Sequence, residues 1–197
     1  MSRLIESIRL CDGVFSRLEL HQLRVDKAFD QIYRTKTALS LQQLLKSQEI
    51  PSKGLYKCRV VYDEKSAVVK FAPYQAKSIN SLKLLVADDI DYSFKWEDRS
   101  QLNNLFAMRG MCDDVLIVKN RFITDTSYAN ILFEKNGQWF TPQSHLLAGT
   151  MRQYLLNHGV IEMRGITVDN FREYNRFKLI NAMLGFESPA VDVSNIY

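Results

Sequence analysis

The stretch ITDTSYANI, residues 123 to 131, decides how the rest of the chain is read. Asp125 stands between two threonines in a run with strand character. Asn130 opens a second apolar run, Ile131-Leu132-Phe133, that reaches a turn signal at Asn136-Gly137. The pattern predicts a strand carrying one acid, a reversal, and a second strand that closes in a tight hairpin. About thirty residues earlier, DIDYSFKW (89 to 96) alternates. Ile90, Tyr92, Phe94 and Trp96 fall on one side, and Asp89, Asp91, Ser93 and Lys95 on the other. A strand is predicted there, with Lys95 on its polar face.

Outward from these two stretches the elements follow in order. Residues 4 to 10 predict a short strand turned at Asp12-Gly13. Leu20, Leu23, Phe29, Ile32 and Tyr33 recur at helical spacing, with Arg24 one turn beyond His21. LSLQQLLKSQ predicts a second helix, and strands near 55 to 62 and 66 to 72 predict a hairpin. The first of these strands carries Leu55, Lys57, Arg59 and Val61 on one side and Tyr56, Cys58, Val60 and Tyr62 on the other. Asp98 is placed to cap a helix through Leu102, Leu105 and Phe106 that Gly110 ends. DVLIV, FITDT and ILFEKNGQWF predict strands. Gly149 opens the helix TMRQYLLNH, and FKLINAML supplies a last strand. The crossing segment APYQAKSINSLKLLVA divides the chain into residues 1 to 80, a small α+β domain, and 81 to 197, a larger one.

Composition narrows the functional classes. A 46% hydrophobic content over 197 residues is that of a globular chain with a sizeable core. No run approaches the ~20 apolar residues of a membrane span, and the N-terminus lacks a signal-peptide core, so a cytoplasmic protein without membrane attachment is expected. Three cysteines without paired spacing argue against a disulfide framework or a zinc site. No HExxH pair or GxSxG elbow is present. The net charge of +4 is scattered rather than striped, which argues against nucleic acid and suits a small anionic substrate.

Seven pieces in a fixed order carry a resemblance to a known family. They are IESIRLCDG (5 to 13), LHQLR (20 to 24), FKWEDR (94 to 99), ITDTSYANI (123 to 131), Thr141-Pro142, LLAGTMR (146 to 152) and INAM (180 to 183). In these the chain resembles the class IV aminotransferase superfamily, the fold-type IV pyridoxal phosphate enzymes. The resemblance implies an α+β, two-domain fold of the D-amino acid aminotransferase type, with a shortened small N-terminal domain and a larger, β-rich C-terminal domain. It implies pyridoxal 5'-phosphate as cofactor, a homodimer, and a small anionic substrate bearing an amine. The implied activity is that of 4-amino-4-deoxychorismate lyase, which makes 4-aminobenzoate and pyruvate for folate synthesis. A class IV aminotransferase acting on branched-chain or D-amino acids is the alternative, and a non-catalytic cofactor-binding member a third reading.

Residue roles follow from the same resemblance. Lys95 is the amine that joins the cofactor and shuttles protons. Asp125 is the acid for the pyridine nitrogen, where the family commonly has glutamate. Gly149, Thr150 and Met151 form a phosphate cup at a helix N-terminus, where the family usually reads Gly-Ile-Thr. Asn181 and Ala182 match a second phosphate-contacting turn, and Arg24 matches the family's phosphate arginine in its His-x-x-Arg setting. Without the family, Arg24 reads as a solvated helix charge. Arg59 reads either as the partner of a substrate carboxylate or as an edge-strand charge that deters aggregation.

Overall fold

The structure is a computed structural model that describes residues 3 to 197. It divides into two compact units, one built from residues up to Ala76 with Phe94–Asp98, the other from Lys77–Ser93 with Arg99–Tyr197. Lys95, which lies C-terminal to the division read from the sequence, is thus part of the smaller unit.

The smaller unit contains β1 (Leu4–Cys11), β2 (Val14–Phe15), α1 (Leu18–Ala28), α2 (Leu41–Lys46), β3 (Leu55–Tyr62) and β4 (Ala67–Pro73). A π-helical turn, Phe29–Tyr33, extends α1, and the Ser40 hydroxyl caps α2 by accepting the Gln43 amide. The sheet runs in the order β2-β1-β3-β4, with every pair antiparallel. Its period-two pattern gives it one dry face. Leu4, Ile8, Cys58, Val60 and Tyr62 pack there with Val25, Ala28 and Phe29 of the helical segment and with Leu41 and Leu45.

Residues 89 to 96 depart from the predicted strand. Only Trp96 enters a ladder, as a single bridge to Leu4 flanked by Ile5 N–H donating to the Lys95 carbonyl at 2.9 Å and Glu97 N–H donating to the Arg3 carbonyl at 2.8 Å. Upstream of it, the Asp91 carboxylate accepts the Ser93 amide at 3.0 Å, an Asx turn that bends the chain out of strand geometry.

The larger unit contains β5 (Leu82–Val86), α3 (Ser100–Ala107), β6 (Asp114–Lys119), β7 (Phe122–Thr126), β8 (Asn130–Lys135), β9 (Gln138–Pro142), α4 (Thr150–Asn157), β10 (Glu162–Arg164), β11 (Arg176–Ile180) and β12 (Val191–Asp192). The strand order is β10-β9-β8-β7-β6-β5, with β11 also paired to β8 and β12 to β11. Asn136 and Gly137 have φ of 55° and 80°, which the tight β8–β9 reversal requires. The centre of β8, residues 131 to 133, is a continuous apolar run because both faces of the strand are covered there. Ile131 and Phe133 enter the main core, and Leu132 packs against Met151 and Leu155 of α4. Asp98 does not cap α3 as its position suggests. The helix starts one residue later, behind Arg99, and has no side-chain cap. Among the described residues no helix is long and apolar enough to cross a membrane.

Phe133 is fully buried, with its ring 5.5 Å from that of Tyr174. Phe133→Ala should cost about 3 to 5 kcal/mol in urea unfolding, the range for emptying an aromatic core position. A loss below about 1 kcal/mol would show that this face of β8 is not the core.

Candidate active site

In the larger unit the predicted residues gather around Asn130. Asp125 on β7 and Asn130 on β8 oppose each other in the ladder. Asn130 Nδ2 donates to Asp125 Oδ1 at 2.8 Å and to the Leu147 carbonyl at 3.0 Å. The other carboxylate oxygen, Oδ2, accepts the Leu146 and Leu147 amides, each at 3.0 Å. The chain that enters α4 is therefore tied to the acid. Gly149 is required at this junction: a Cβ there would stand 2.0 Å from Asn130 Oδ1. Ile180, the last residue of β11, pairs with Asn130 from the opposite side. The structure thereby brings Asp125, Gly149, Thr150, Met151, Asn181 and Ala182 to one end of the sheet. Asn181 spends its oxygen on its own turn, accepting the Met183 and Leu184 amides at 2.8 and 3.0 Å.

Electrostatics set this end apart. Burial pushes the Asp125 carboxyl up to about 6, against the opposing pull of its three hydrogen bonds and of the Arg152 charge. Arg152 is itself 3% exposed, and its guanidinium donates to Thr141 Oγ1 at 3.1 Å and to the Pro142 carbonyl at 3.0 Å. Burial lowers its pKa. Gly149 caps α4 without a side chain, so the first-turn amides are directed past the helix end toward any anion there.

The smaller unit holds Arg24, Arg59 and Lys95. Arg24 grips Glu6 through both carboxylate oxygens, Nε at 2.8 Å and Nη2 at 2.6 Å. His21 Nδ1 lies against the same carboxylate. Burial would raise the Glu6 carboxyl, but the charge and hydrogen bonds of Arg24, with the bond from His21, hold it down at about 2. Burial also lowers the imidazole pKa, so a neutral His21 donates from Nδ1 to an ionised Glu6. Glu6 faces the helices. Arg59 and Lys95, by register, lie on the opposite face of the sheet. β3 is an interior strand, so Arg59 is not an edge charge. Its Nη2 meets Glu97 Oε1 at 3.3 Å, and Arg3 Nε meets Glu97 Oε2 at 2.7 Å.

Glu6, Glu97 and Arg152 did not emerge as site residues from the sequence. Glu6 had a signal: it is the charged member of the inward series Leu4, Glu6, Ile8, Leu10. Arg152 had a weaker one, as a cation in the first turn of a helix whose dipole disfavours it there. Arg99, which donates to the Ser127 carbonyl at 2.7 Å, was quoted only as part of FKWEDR.

The two buried acids should titrate with opposite sign. Asp125 has a raised folded pKa, so its contribution is intact at low pH and is lost as pH rises from the unfolded value of 3.8 through about 6. Asp125→Asn should remove that loss, on the order of 3 kcal/mol, in urea unfolding of the cofactor-free protein at pH 7.5 relative to pH 4. Glu6 has a depressed folded pKa, so its contribution is intact above 4.5 and is lost as pH falls toward about 2. Glu6→Gln should therefore cost stability at neutral pH, again on the order of 3 kcal/mol. Stability profiles of either variant that run parallel to wild type contradict the assignment.

Residues 99–188 match the family described as amino-transferase class IV. An uncharacterized protein of Haemophilus influenzae is 35% identical over 188 residues, covering 94% of this chain and all of that one. A crystal structure described as a "putative 4-amino-4-deoxychorismate lyase" from Haemophilus somnus is similar with a TM-score of 0.87 and 32% identity, over 94% of this chain and 98% of that one. The PLP-bound form of a hypothetical aminotransferase from Mycobacterium tuberculosis shares the fold, with a TM-score of 0.76 at 16% identity over 99% of this chain and 81% of that one. With the ordered motifs, the Asp125–Asn130 end of the sheet and this whole-length similarity, the chain belongs to the class IV aminotransferase family.

Proposed function

We propose that this protein is a pyridoxal phosphate-dependent lyase that splits 4-amino-4-deoxychorismate into 4-aminobenzoate and pyruvate. The observation that carries the reading is the 32% identity, across nearly the whole of both chains, to a protein described as such a lyase. The residues fit the cofactor. Asp125 is a buried carboxylate with three donors on it, and a carboxylate has about four acceptor positions, which leaves one for a pyridine N–H. A cation placed there would bring the pKa of this acid back down. The first turn of α4, opened by a glycine with no side-chain cap, suits a phosphate.

Pyridoxal phosphate supplies an electron sink for the charge left on the substrate's amine-bearing carbon. Asp125 would hold the proton on the ring nitrogen. The amides of Gly149, Thr150 and Met151, with the Asn181-Ala182 turn, would hold the phosphate; Arg24, which the resemblance adds, has its Nε and Nη2 on Glu6, on the sheet face away from Lys95. Lys95 Nζ would be the amine that holds the cofactor, and as a base it would carry the proton from the substrate's amine-bearing carbon to the departing three-carbon unit, which leaves as pyruvate. Arg59 meets a substrate carboxylate. The homodimer that the resemblance implies belongs to this proposal and is checked by light scattering.

Incubation with aminodeoxychorismate should release 4-aminobenzoate and pyruvate in equal amounts. Transfer of an amino group to 2-oxoglutarate without that cleavage would instead mark an aminotransferase. Lys95→Ala should lose the visible absorbance of the bound cofactor and all turnover while the far-UV spectrum is retained. Borohydride labelling of wild type at a different lysine would remove Lys95 from this role. Asp125→Asn should keep the cofactor yet lose at least about 100-fold in kcat, the scale for removing one preorganised charge contact.

A further inference from the structure

We propose that Glu97 is a specificity-determining residue, an internal stand-in for a substrate carboxylate that makes the smaller unit's outward sheet face selective for dianions over monoanions. The inference rests on the proposed function for the class of ligand.

The argument begins with a charge pattern that folding alone does not favour. Cross-strand partners share a face, and on the face turned away from the helices Arg9 stands opposite Lys57, and Arg59 opposite Lys70. Like charges set directly across a ladder oppose pairing. Protection of an exposed edge accounts at most for Lys70 on β4, because Lys57 and Arg59 lie on interior β3. The bridge at Leu4 and Trp96 sets Arg3 opposite Glu97 and Ile5 opposite Lys95, which puts Lys95 and Glu97 on this same face. Among the described residues at the outward positions of these strands, Glu97 is the only acid, and two arginines converge on it, Arg3 at 2.7 Å and Arg59 at 3.3 Å.

A carboxylate two residues from Lys95, its backbone pinned to β1, thus occupies the Arg59 fork that a substrate carboxylate would use. A monocarboxylate entering here exchanges like for like. It displaces Glu97 from Arg59 and gains little. A ligand with a second carboxylate also reaches the opposed cations Lys57 and Arg9, the latter already under the charge of Asp12 just past the end of β1, and that second contact yields the net gain. Selectivity then comes from a competing group built into the site rather than from a tighter fit.

The test uses two probes on one ring, benzoate and isophthalate, titrated calorimetrically into the purified protein with and without pyridoxal phosphate. No turnover is needed, so the outcome is separable from whether the lyase reaction is found. Wild type should bind isophthalate at least about tenfold more tightly than benzoate. Glu97→Gln should tighten benzoate at least about fivefold and isophthalate less, so that the preference collapses. Arg59→Ala added to Glu97→Gln should abolish the gain. Lys57→Gln should weaken isophthalate alone while raising Tm, since it removes a like-charge pair. An unchanged preference in Glu97→Gln, a Tm rise in Lys57→Gln with unaltered isophthalate binding, or no binding of isophthalate to wild type would each overturn the proposal.

Discussion

The larger unit depends on one hydrogen-bonded pair, Asp125 and Asn130. The carboxylate is buried, so each lone pair left without a donor would carry a desolvation cost of about 1 to 3 kcal/mol. Asn130 and two successive loop amides meet that need, and in doing so they fix the chain that enters α4. The same asparagine side chain fills the space that any Cβ at position 149 would require. The acid, the amide and the glycine thus form one steric and electrostatic unit. Thr150 and Met151 take their positions from it, not from a cap of their own.

The smaller unit solves a related problem with the opposite balance. Glu6 is as buried as Asp125, yet its charge is sustained by a guanidinium gripping both of its oxygens. Such a pair contributes geometry more than net stability, because desolvation offsets much of the attraction. What it fixes is Arg24. The Nε and Nη2 side of the fork is taken by Glu6, which sets the direction in which the guanidinium plane faces. His21 buttresses the arrangement as a neutral donor and adds no second positive charge beside Arg24.

Legibility in the sequence followed the physics of each signal. The β7 and β8 strands, the Asn136-Gly137 reversal and the helix behind Gly149 were readable because local chemistry alone demands them. The alternation of DIDYSFKW was read as a strand, and its sides were right at Ile90, Tyr92, Phe94 and Trp96, which are buried or packed on a core. Its conformation was not, because period two describes any extended chain, and the Asp91–Ser93 turn is a choice that side-chain identity permits without compelling. Asp98 failed as a cap for the same reason: a capping residue is useful only where the helix in fact begins. The interleaving of Phe94–Asp98 with the first unit was beyond local reading, since it rests on a ladder between residues more than ninety positions apart.

Buried charges were the least legible feature and the most informative one. A sequence shows that Glu6 interrupts an apolar series, but not that Arg24 and His21 meet it. It shows scattered cations, but not that β1, β3 and β4 set Arg9 against Lys57 and Arg59 against Lys70. Register creates this conflict, and register depends on the whole sheet. A fold that keeps like charges opposed on an interior strand has given up some stability there, and Glu97, through Arg59, relieves only part of it. That cost falls on the same face of the sheet that carries Lys95 and Glu97.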